Sequence, residues 1–273
     1  MKVAEAIRAA SERLSGTSDT ARLDAELLMA HALGASRSDM LVRKMGEAVP
    51  EAFDALVARR VRREPVAYIT GTAGFYGREF AVGPGILVPR PDSETLIEAA
   101  LERCPAPERV LDLGTGSGAL LLSVLAECPQ TEGVGIDASP VAVDYARRNA
   151  ARLGLAERVD LGLGDWREPG WADDLGTFDL LVCNPPYVEE GAALEPDVRD
   201  YEPAGALFAG ADGFDDYRVL FPQVRGLLRE NGVALFEIGH TQDGAVRELA
   251  RHAGFDATIV RDLANRPRCI ALR

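Results

Sequence analysis

Apolar residues recur at helical spacing through the first 65 residues, which are rich in Ala, Leu, Glu and Arg and show almost no strand-like alternation. Gly34 and Gly46 interrupt this pattern as stop signals, and Pro50 suits the first turn of a helix. The pattern therefore predicts a small all-α N-terminal domain over residues 1–65. Its predicted helices cover residues 3–14, 20–33, 37–44 and 50–63.

After residue 65 the chain turns to Tyr, Ile, Thr, Phe, Val and repeated Gly residues, which indicates a β-hairpin connector over residues 66–90. Residues 91–94 then begin a helix, and apolar runs alternate with helical segments from there on. Residues 91–273 are therefore predicted to form an α/β domain. Its strands are expected near residues 109–113, 132–136, 158–163, 178–183, 233–239, 256–261 and 268–272.

Only residues 262–267 separate the last two predicted strands, which is too short for a right-handed crossover. These two strands should therefore pair antiparallel. The predicted fold class is α/β, with a doubly wound, mostly parallel seven-stranded sheet that has one reversed strand, preceded by the helical domain.

Charge and cysteine spacing narrow the classes of function. The chain has 30 Lys and Arg residues against 43 Asp and Glu residues, and its net charge of −13 argues against a broad nucleic-acid surface. The four cysteines lack C-x-x-C spacing, so neither a zinc site nor a disulfide framework is indicated. No apolar run of 18 residues occurs, and the first residues lack the pattern of a signal peptide. We expect a soluble cytoplasmic protein without a metal or a membrane or nucleic-acid partner.

A glycine loop joins the strand predicted at 109–113 to an apolar helix. Its glycines permit tight turning and close approach of a ligand, and the helix N-terminus supplies unpaired donors. The spacing is G-x-G-x-G, whereas dinucleotide sites have G-x-G-x-x-G, so a ligand without phosphates fits better. The cofactor-binding residues predicted here are Gly114, Thr115, Gly116, Ser117 and Gly118.

Acidic residues close the next two predicted strands. Asp137 follows Gly118 by 19 residues, where doubly wound folds place the acid that holds ribose hydroxyls, although it could instead cap the following helix. Asp165 could accept a hydrogen bond from an exocyclic amine while Trp166 covers a purine, although Trp166 could also be core filler. Because the carboxyl ends of neighbouring strands meet at one edge, these residues together describe a site for an adenosine-like molecule.

The tetrapeptide Asn184-Pro185-Pro186-Tyr187 follows the apolar run at 178–183. Two prolines stiffen the turn and remove two backbone donors. The Asn184 side-chain oxygen and the Pro185 carbonyl can then stand side by side as acceptors for one planar NH2 group. The alternative is that Asn-Pro merely initiates a turn. We predict Asn184, Pro185 and Tyr187 as catalytic, all four residues as substrate-binding, and Asn184 as a cofactor contact as well.

These motifs resemble the signature of amino-directed, S-adenosylmethionine-dependent methyltransferases of class I. A narrower resemblance, to the release-factor glutamine methyltransferase family (HemK/PrmC type), extends over essentially the whole chain. Ser93 stands where Thr is usual in this family, and Asn265 where Gly is common. The segments that carry the resemblance are residues 64–71, 75–80, 88–94, 198–203, 212–213 and 261–264.

The resemblance implies methylation, in translation termination, of the glutamine in the Gly-Gly-Gln motif of peptide chain release factors. S-adenosylmethionine would be the cofactor and S-adenosylhomocysteine the product. An amide nitrogen is a poor nucleophile, so two acceptors that hold both N–H bonds would aim its lone pair at the sulfonium methyl. Tyr187 is expected to pack beside the glutamine side chain. The basic residues at 59, 60, 62 and 63 of the helical domain could form a docking surface for the protein substrate or simply a solvated helix face.

Three alternatives stay open at this point. A nucleic-acid methyltransferase acting on adenine or guanine could use the same turn, a nicotinamide-dependent oxidoreductase could use the glycine loop, and a non-catalytic scaffold could retain the fold. Phe75, Tyr76 and Arg90 could cover the cofactor, shape the acceptor pocket, or simply pack in the hairpin. The three histidines lie outside every motif and are interpreted as structural or surface residues.

Overall fold

The structure is a computed structural model that describes residues 1–273. The chain divides into two compact units. The first comprises Met1–Thr72 and Leu194–Glu202, and the second comprises Ala73–Ala193 and Pro203–Arg273. No helix of the chain has the length and apolar character needed to cross a bilayer.

Eleven helices and nine strands make up the two units. The helices are α1 (Val3–Leu14), α2 (Ala21–Ala32), α3 (Arg37–Asp39), α4 (Phe53–Val61), α5 (Val66–Thr70), α6 (Glu94–Arg103), α7 (Ala119–Glu127), α8 (Pro140–Arg152), α9 (Pro196–Tyr201), α10 (Asp215–Val224) and α11 (Asp243–His252). The strands are β1 (Thr72–Phe75), β2 (Arg78–Ala81), β3 (Arg109–Leu113), β4 (Glu132–Asp137), β5 (Val159–Leu163), β6 (Phe178–Cys183), β7 (Leu228–Glu237), β8 (Ala257–Arg261) and β9 (Pro267–Leu272).

The first unit is helical and has a core of its own, in which Ile7, Leu28 and Val57 are fully buried. The helix predicted over residues 37–44 begins as α3 but continues as a π-helix over Met40–Lys44. Helix α5 was not predicted, because its apolar and β-branched residues resemble the start of a hairpin. The hairpin itself occupies only Thr72–Ala81 within the connector predicted at 66–90.

Helix α9 belongs to this first unit although it lies far along the chain. The Arg60 side chain, only 7% exposed, donates to Asp24 at 2.6 Å and to Asp197 of α9 at 2.7 Å. The Tyr201 hydroxyl donates to the carbonyl of Arg62 at 2.7 Å. The Arg60 side chain therefore makes its ion pairs inside the first unit. The docking role of the basic residues around it stays a prediction.

In the second unit, β1 and β2 form a separate hairpin whose two turn residues, Tyr76 and Gly77, both have positive φ angles of 47° and 71°. Two-residue hairpin loops of type I′ require this conformation. The Tyr76 backbone N–H also donates to Glu94 at 2.8 Å, which ties the hairpin to the start of α6.

The main sheet has seven strands in the order β5-β4-β3-β6-β7-β9-β8. Strands β3 to β7 pair parallel, and β9 runs antiparallel to both β7 and β8. The predicted fold class, including the one reversed strand, is confirmed. Strand β7 starts five residues earlier than predicted because its first part, with Arg229, Glu230 and Asn231, is polar and carries no apolar signal.

Each face of the sheet is covered by its own apolar layer. Val110 and Leu180 belong to the apolar layer on one face of the sheet, and their neighbours Leu111 and Leu181 belong to the apolar layer on the other face. This burial on both faces explains why the central strands are continuous apolar runs. Parallel pairing brings Leu113, Ile136 and Cys183 to the same edge of the sheet, where the chain order reverses between β3 and β6. Open α/β sheets bind their ligands at such a switch point.

Candidate active site

A cavity of about 440 Å³ opens at this edge of the sheet. A volume of this size suits a small organic ligand. Every residue that lines the cavity belongs to the second unit. The predicted site residues that line it are Gly114, Thr115, Gly116, Ser117, Asp137, Asp165, Trp166, Asn184 and Pro186.

Three predicted residues, Gly118, Pro185 and Tyr187, are not among the residues that line the cavity. Gly118 has a φ of 80°, and a Cβ added there would lie 2.9 Å from Leu122 and 3.4 Å from the backbone of Ala146. This glycine therefore permits close packing at the start of α7.

The glycine loop is fixed by backbone and side-chain hydrogen bonds. The N–H groups of Gly114 and Thr115 both donate to the carbonyl of Ile136 at 2.9 Å. The Thr115 hydroxyl donates to Asp112 Oδ2 at 2.7 Å, whereas Asp112 Oδ1 is buried without a hydrogen bond. Complete burial raises the pKa of Asp112 to about 7, against the lowering effect of the Thr115 hydrogen bond.

Asp137 connects the glycine loop to the segment before α8. Its Oδ2 accepts from the Gly116 N–H and its Oδ1 from the Ser139 N–H, both at 2.9 Å. The N-cap of α8 is Ser139, whose hydroxyl accepts from the Ala142 N–H. Each Asp137 oxygen keeps a second lone pair, so the carboxylate can still accept hydrogen bonds from a ligand in the cavity. Burial raises the pKa of Asp137.

The indole of Trp166 lies over the glycine loop, because a Cβ added to Gly114 would be 3.3 Å from its ring. The indole N–H donates to Asp216 Oδ1 at 2.8 Å, and Arg167 donates to the same oxygen at 2.8 Å. Asp216 also lines the cavity and is only 1% exposed. Trp166 both packs against the core and borders the cavity, while Asp165 accepts from the Arg167 backbone N–H at 2.9 Å.

The turn at 184–187 follows β6 directly, and its Asn184 and Pro186 line the cavity. The Tyr187 hydroxyl donates to Glu237 Oε1 at 3.0 Å. Burial, followed by the nearby Glu237 carboxylate, raises the pKa of Tyr187. The expected packing of Tyr187 beside an acceptor side chain stays a prediction, since its hydroxyl is bound to Glu237 and the residue does not line the cavity.

The backbone of the same turn is held by Gln242, which the sequence analysis missed, and by Gly213, which it noted only as part of the family resemblance. Gln242 Nε2 donates to the Tyr187 carbonyl at 3.1 Å. Gly213 packs so closely that a Cβ added there would lie 2.5 Å from the Tyr187 carbonyl oxygen. Glu237, which accepts from Tyr187 and also from the Ser93 hydroxyl, was missed too, although an acid inside an apolar strand was an available signal.

Of the three residues left without a role, Phe75 and Arg90 line the cavity, whereas Tyr76 does not. Phe75 is 2% exposed and meets Phe80 edge-on at 6.2 Å between ring centroids. Tyr76 occupies the hairpin turn and packs against the apolar cluster that contains Phe75 and Phe80. Hairpin packing therefore accounts for Tyr76, while Phe75 serves both the core and the cavity wall.

Comparison with known proteins decides the family. Residues 5–71 match the model of the PrmC N-terminal domain, and residues 106–257 match a methyltransferase domain. The release factor glutamine methyltransferase of Rhodospirillum rubrum is 45% identical over 261 residues, which cover 92% of this chain and 78% of that protein. The protein of the same name from Cereibacter sphaeroides is 41% identical, with 100% of this chain and 99% of that protein covered. The chain belongs to the release factor glutamine methyltransferase family.

Membership of this family confirms the predicted methyltransferase activity and implies the use of S-adenosylmethionine. A solved methyltransferase from Pyrococcus furiosus, 17% identical to this chain, superposes with a TM-score of 0.51 over 79% of this chain and 95% of that one. That likeness shows the fold alone. Family membership also sets aside the nicotinamide-dependent alternative. The cofactor-binding roles of the glycine loop, Asp137 and Asp165 stay predictions.

Proposed function

We propose that the protein transfers the methyl group of S-adenosylmethionine to the side-chain amide nitrogen (N5) of the glutamine in the Gly-Gly-Gln motif of peptide chain release factors. One observation carries this proposal: Asn184 of the proline-rich turn lines the same cavity as the glycine loop, Asp137 and Trp166. Methyl transfer requires donor and acceptor within about 3–3.5 Å in one chamber. A single cavity lined by both kinds of group supports this proposal.

The cofactor side of the cavity fits an adenosine-like donor. We assign Gly114, Thr115, Gly116, Ser117 and Gly118 to the loop that the donor approaches, Gly118 by setting the loop geometry. Asp137 would accept from the ribose hydroxyls with its remaining lone pairs, Asp165 would accept from the exocyclic amine, and the Trp166 ring would cover the purine. When bound, S-adenosylmethionine supplies an electrophilic methyl group on a sulfonium.

The acceptor side fits a carboxamide. Oδ1 of Asn184, a residue that lines the cavity, would accept a hydrogen bond from one N–H of the glutamine. The Pro185 carbonyl, although Pro185 itself does not line the cavity, would accept a hydrogen bond from the other N–H. These two bonds would orient the nitrogen lone pair toward the methyl group and stabilise the positive charge that develops. Pro186 lines the cavity and keeps the turn stiff. Tyr187 would act as a positioning residue through its hydrogen bond to Glu237. The product amide can lose its extra proton after transfer, so no tuned general base is required.

We propose release factors as the protein partner and the cytoplasm as the location, because release factors work there during translation termination. The net charge of −13 disfavours a nucleic-acid substrate, which would need a basic face for its phosphates. The transfer as proposed needs no metal ion and gives S-adenosylhomocysteine as its product.

The decisive assay supplies methyl-labelled S-adenosylmethionine to the purified protein with one substrate at a time: release factor, a release factor whose motif glutamine is replaced by alanine, DNA, or ribosomal RNA. Label in the unaltered release factor alone is the expected result. Label in nucleic acid while the release factor stays blank would replace this proposal with the nucleic-acid alternative.

A further inference from the structure

Gln242, the residue before α11, uses both the nitrogen and the oxygen of its side-chain amide, and one of its bonds holds the turn at residues 184–187, here called the acceptor turn. Its Nε2 donates to the carbonyls of Tyr187 at 3.1 Å and Gly213 at 3.3 Å, and its Oε1 accepts from the Gly239 N–H at 2.9 Å. The side chain is buried, at 8% exposure. These three bonds join the acceptor turn, the loop before α10 and the end of β7.

The acceptor turn needs such support from outside. Pro185 and Pro186 have no N–H groups, so they cannot donate to the neighbouring backbone. After the two prolines, the backbone N–H of Val188 donates to the backbone carbonyl of Leu207 at 2.8 Å. The Gln242 bond to the Tyr187 carbonyl therefore acts on the free end of a stiff segment that begins at Asn184.

Gln223, on α10, holds the cofactor side in the same manner. Its Nε2 donates to the carbonyls of Trp166 at 3.1 Å and Val219 at 2.8 Å, and its Oε1 accepts from the Trp171 indole N–H at 2.6 Å. Two helical turns earlier, Asp216 accepts the Trp166 indole N–H. One helix thus fixes Trp166 twice, at its ring through Asp216 and at its main chain through Gln223.

We propose that Gln242 and Gln223 are positioning residues with separate tasks: Gln242 sets the methyl-acceptor turn, and Gln223 sets the indole that covers the cofactor. Neither side chain lines the cavity, so each acts through the residue that it holds. This inference rests on the proposed function, which assigns one side of the cavity to the methyl acceptor and the other side to the cofactor. It adds that the two sides are held by different side chains, one that directly precedes α11 and one on α10.

The test compares Gln242→Met with Gln223→Met, since methionine keeps the length of glutamine but cannot make its hydrogen bonds. For Gln242→Met we expect turnover at saturating S-adenosylmethionine to fall by about a hundredfold, the typical cost of a displacement of about 1 Å in an active site. Its affinity for S-adenosylmethionine should stay within about twofold of the unaltered protein. For Gln223→Met we expect the opposite split, with affinity roughly tenfold weaker and saturated turnover nearly unchanged.

Calorimetry without a protein substrate measures the affinity, and single-turnover methylation of a release factor measures the rate. If Gln242→Met does not fold, Gln242→Asn takes its place, because asparagine keeps a neutral side-chain amide but is one methylene shorter and cannot reach all three partners. The inference is overturned if both variants lose the same parameter by the same factor. Failure of the unaltered protein to methylate release factors would instead overturn the proposed function, and the affinity of Gln223→Met would still decide that half of the inference.

Discussion

The Tyr187 hydroxyl donates a 3.0 Å hydrogen bond to Oε1 of Glu237, a carboxyl group that is only 2% exposed. The other Glu237 oxygen accepts from the hydroxyl of Ser93, which lines the cavity. Burial raises the pKa of Glu237, against the lowering effect of both hydroxyls. A buried acid thus connects the acceptor turn to the segment that follows the hairpin connector, directly before α6.

Replacement of Tyr187 by Phe should destabilise the protein by about 1–3 kcal/mol, because it leaves a buried Glu237 oxygen without its donor. Urea unfolding monitored by circular dichroism gives this free energy. The matched control is Tyr201→Phe, whose hydroxyl bonds to the Arg62 carbonyl at an exposed position where water can replace it. Equal losses in the two variants would contradict the importance of the buried bond.

Asn184→Ala should lower turnover by about 10²–10³-fold, the typical cost of removing one preorganised polar group from a transition-state site. Affinity for S-adenosylmethionine should change far less, because most of the proposed cofactor contacts come from other residues. Initial rates and calorimetry measure the two quantities. Asn265→Gly, in an exposed loop outside the cavity, is the control and should leave both unchanged. Unchanged turnover in Asn184→Ala would remove this residue from its proposed role.

Trp166→Ala should weaken binding of S-adenosylmethionine by roughly 1–3 kcal/mol, the typical value of stacking between an aromatic side chain and a base. Trp166→Phe should lose less, because it keeps a flat ring but gives up the hydrogen bond to Asp216. Calorimetric titration of the three proteins measures the order of affinities. Equal affinity in the unaltered protein and Trp166→Ala would show that the indole does not cover the cofactor.

Gly213→Ala should both destabilise the protein and lower its activity. A left-handed φ of 76° costs a non-glycine residue about 1–2 kcal/mol, and the new Cβ would also displace the Tyr187 carbonyl. Gly154→Ala is the matched control, since Gly154 has a φ of 71° but no atom within 4 Å of an added Cβ. Thermal unfolding should show a larger loss for Gly213→Ala, and only that variant should have reduced turnover.

The buried Asp112 carboxyl should make the free energy of unfolding decrease as the pH rises. Its folded-state pKa is about 7, above the ordinary value of 3.8, so the folded protein holds this proton more firmly than the unfolded chain. The resulting stabilisation is complete below about pH 4 and is lost as the pH rises through about 7. Asp112→Asn mimics the neutral form, so its stability relative to the unaltered protein should rise by about 1 kcal/mol or more between about pH 5 and about pH 8.

Urea unfolding of both proteins at the two pH values measures this difference, in which the contributions of unchanged groups cancel. Asp262→Asn is the control. The backbone N–H of Arg266 is the main cause that lowers the pKa of Asp262, to about 2, so its stabilisation is already complete at about pH 5. Its stability difference from the unaltered protein should therefore stay constant over the same interval. A constant difference for Asp112→Asn would contradict the raised pKa.

The nine predicted site residues that border the cavity could be found because their signals are local in the sequence. Strands β3 and β6 have the predicted bounds, and the glycine loop and the acceptor turn follow them directly. The supporting residues could not be predicted in this way. Asp216 and Gln223 lie 50 and 57 residues from Trp166, and Gln242 lies 55 residues from Tyr187, so only the sheet topology brings them together.

Helix α9 has a consequence for dissecting the molecule. Because its Asp197 pairs with Arg60 and its Tyr201 with the Arg62 carbonyl, the N-terminal unit is assembled from two stretches separated by more than a hundred residues. A single cleavage or truncation after Thr72 would not separate the two units, since the C-terminal fragment would still carry α9 without the helices that it packs against. An autonomous catalytic fragment would need a second edit, a short bridge in place of residues 194–202, inside the loop that follows the acceptor turn.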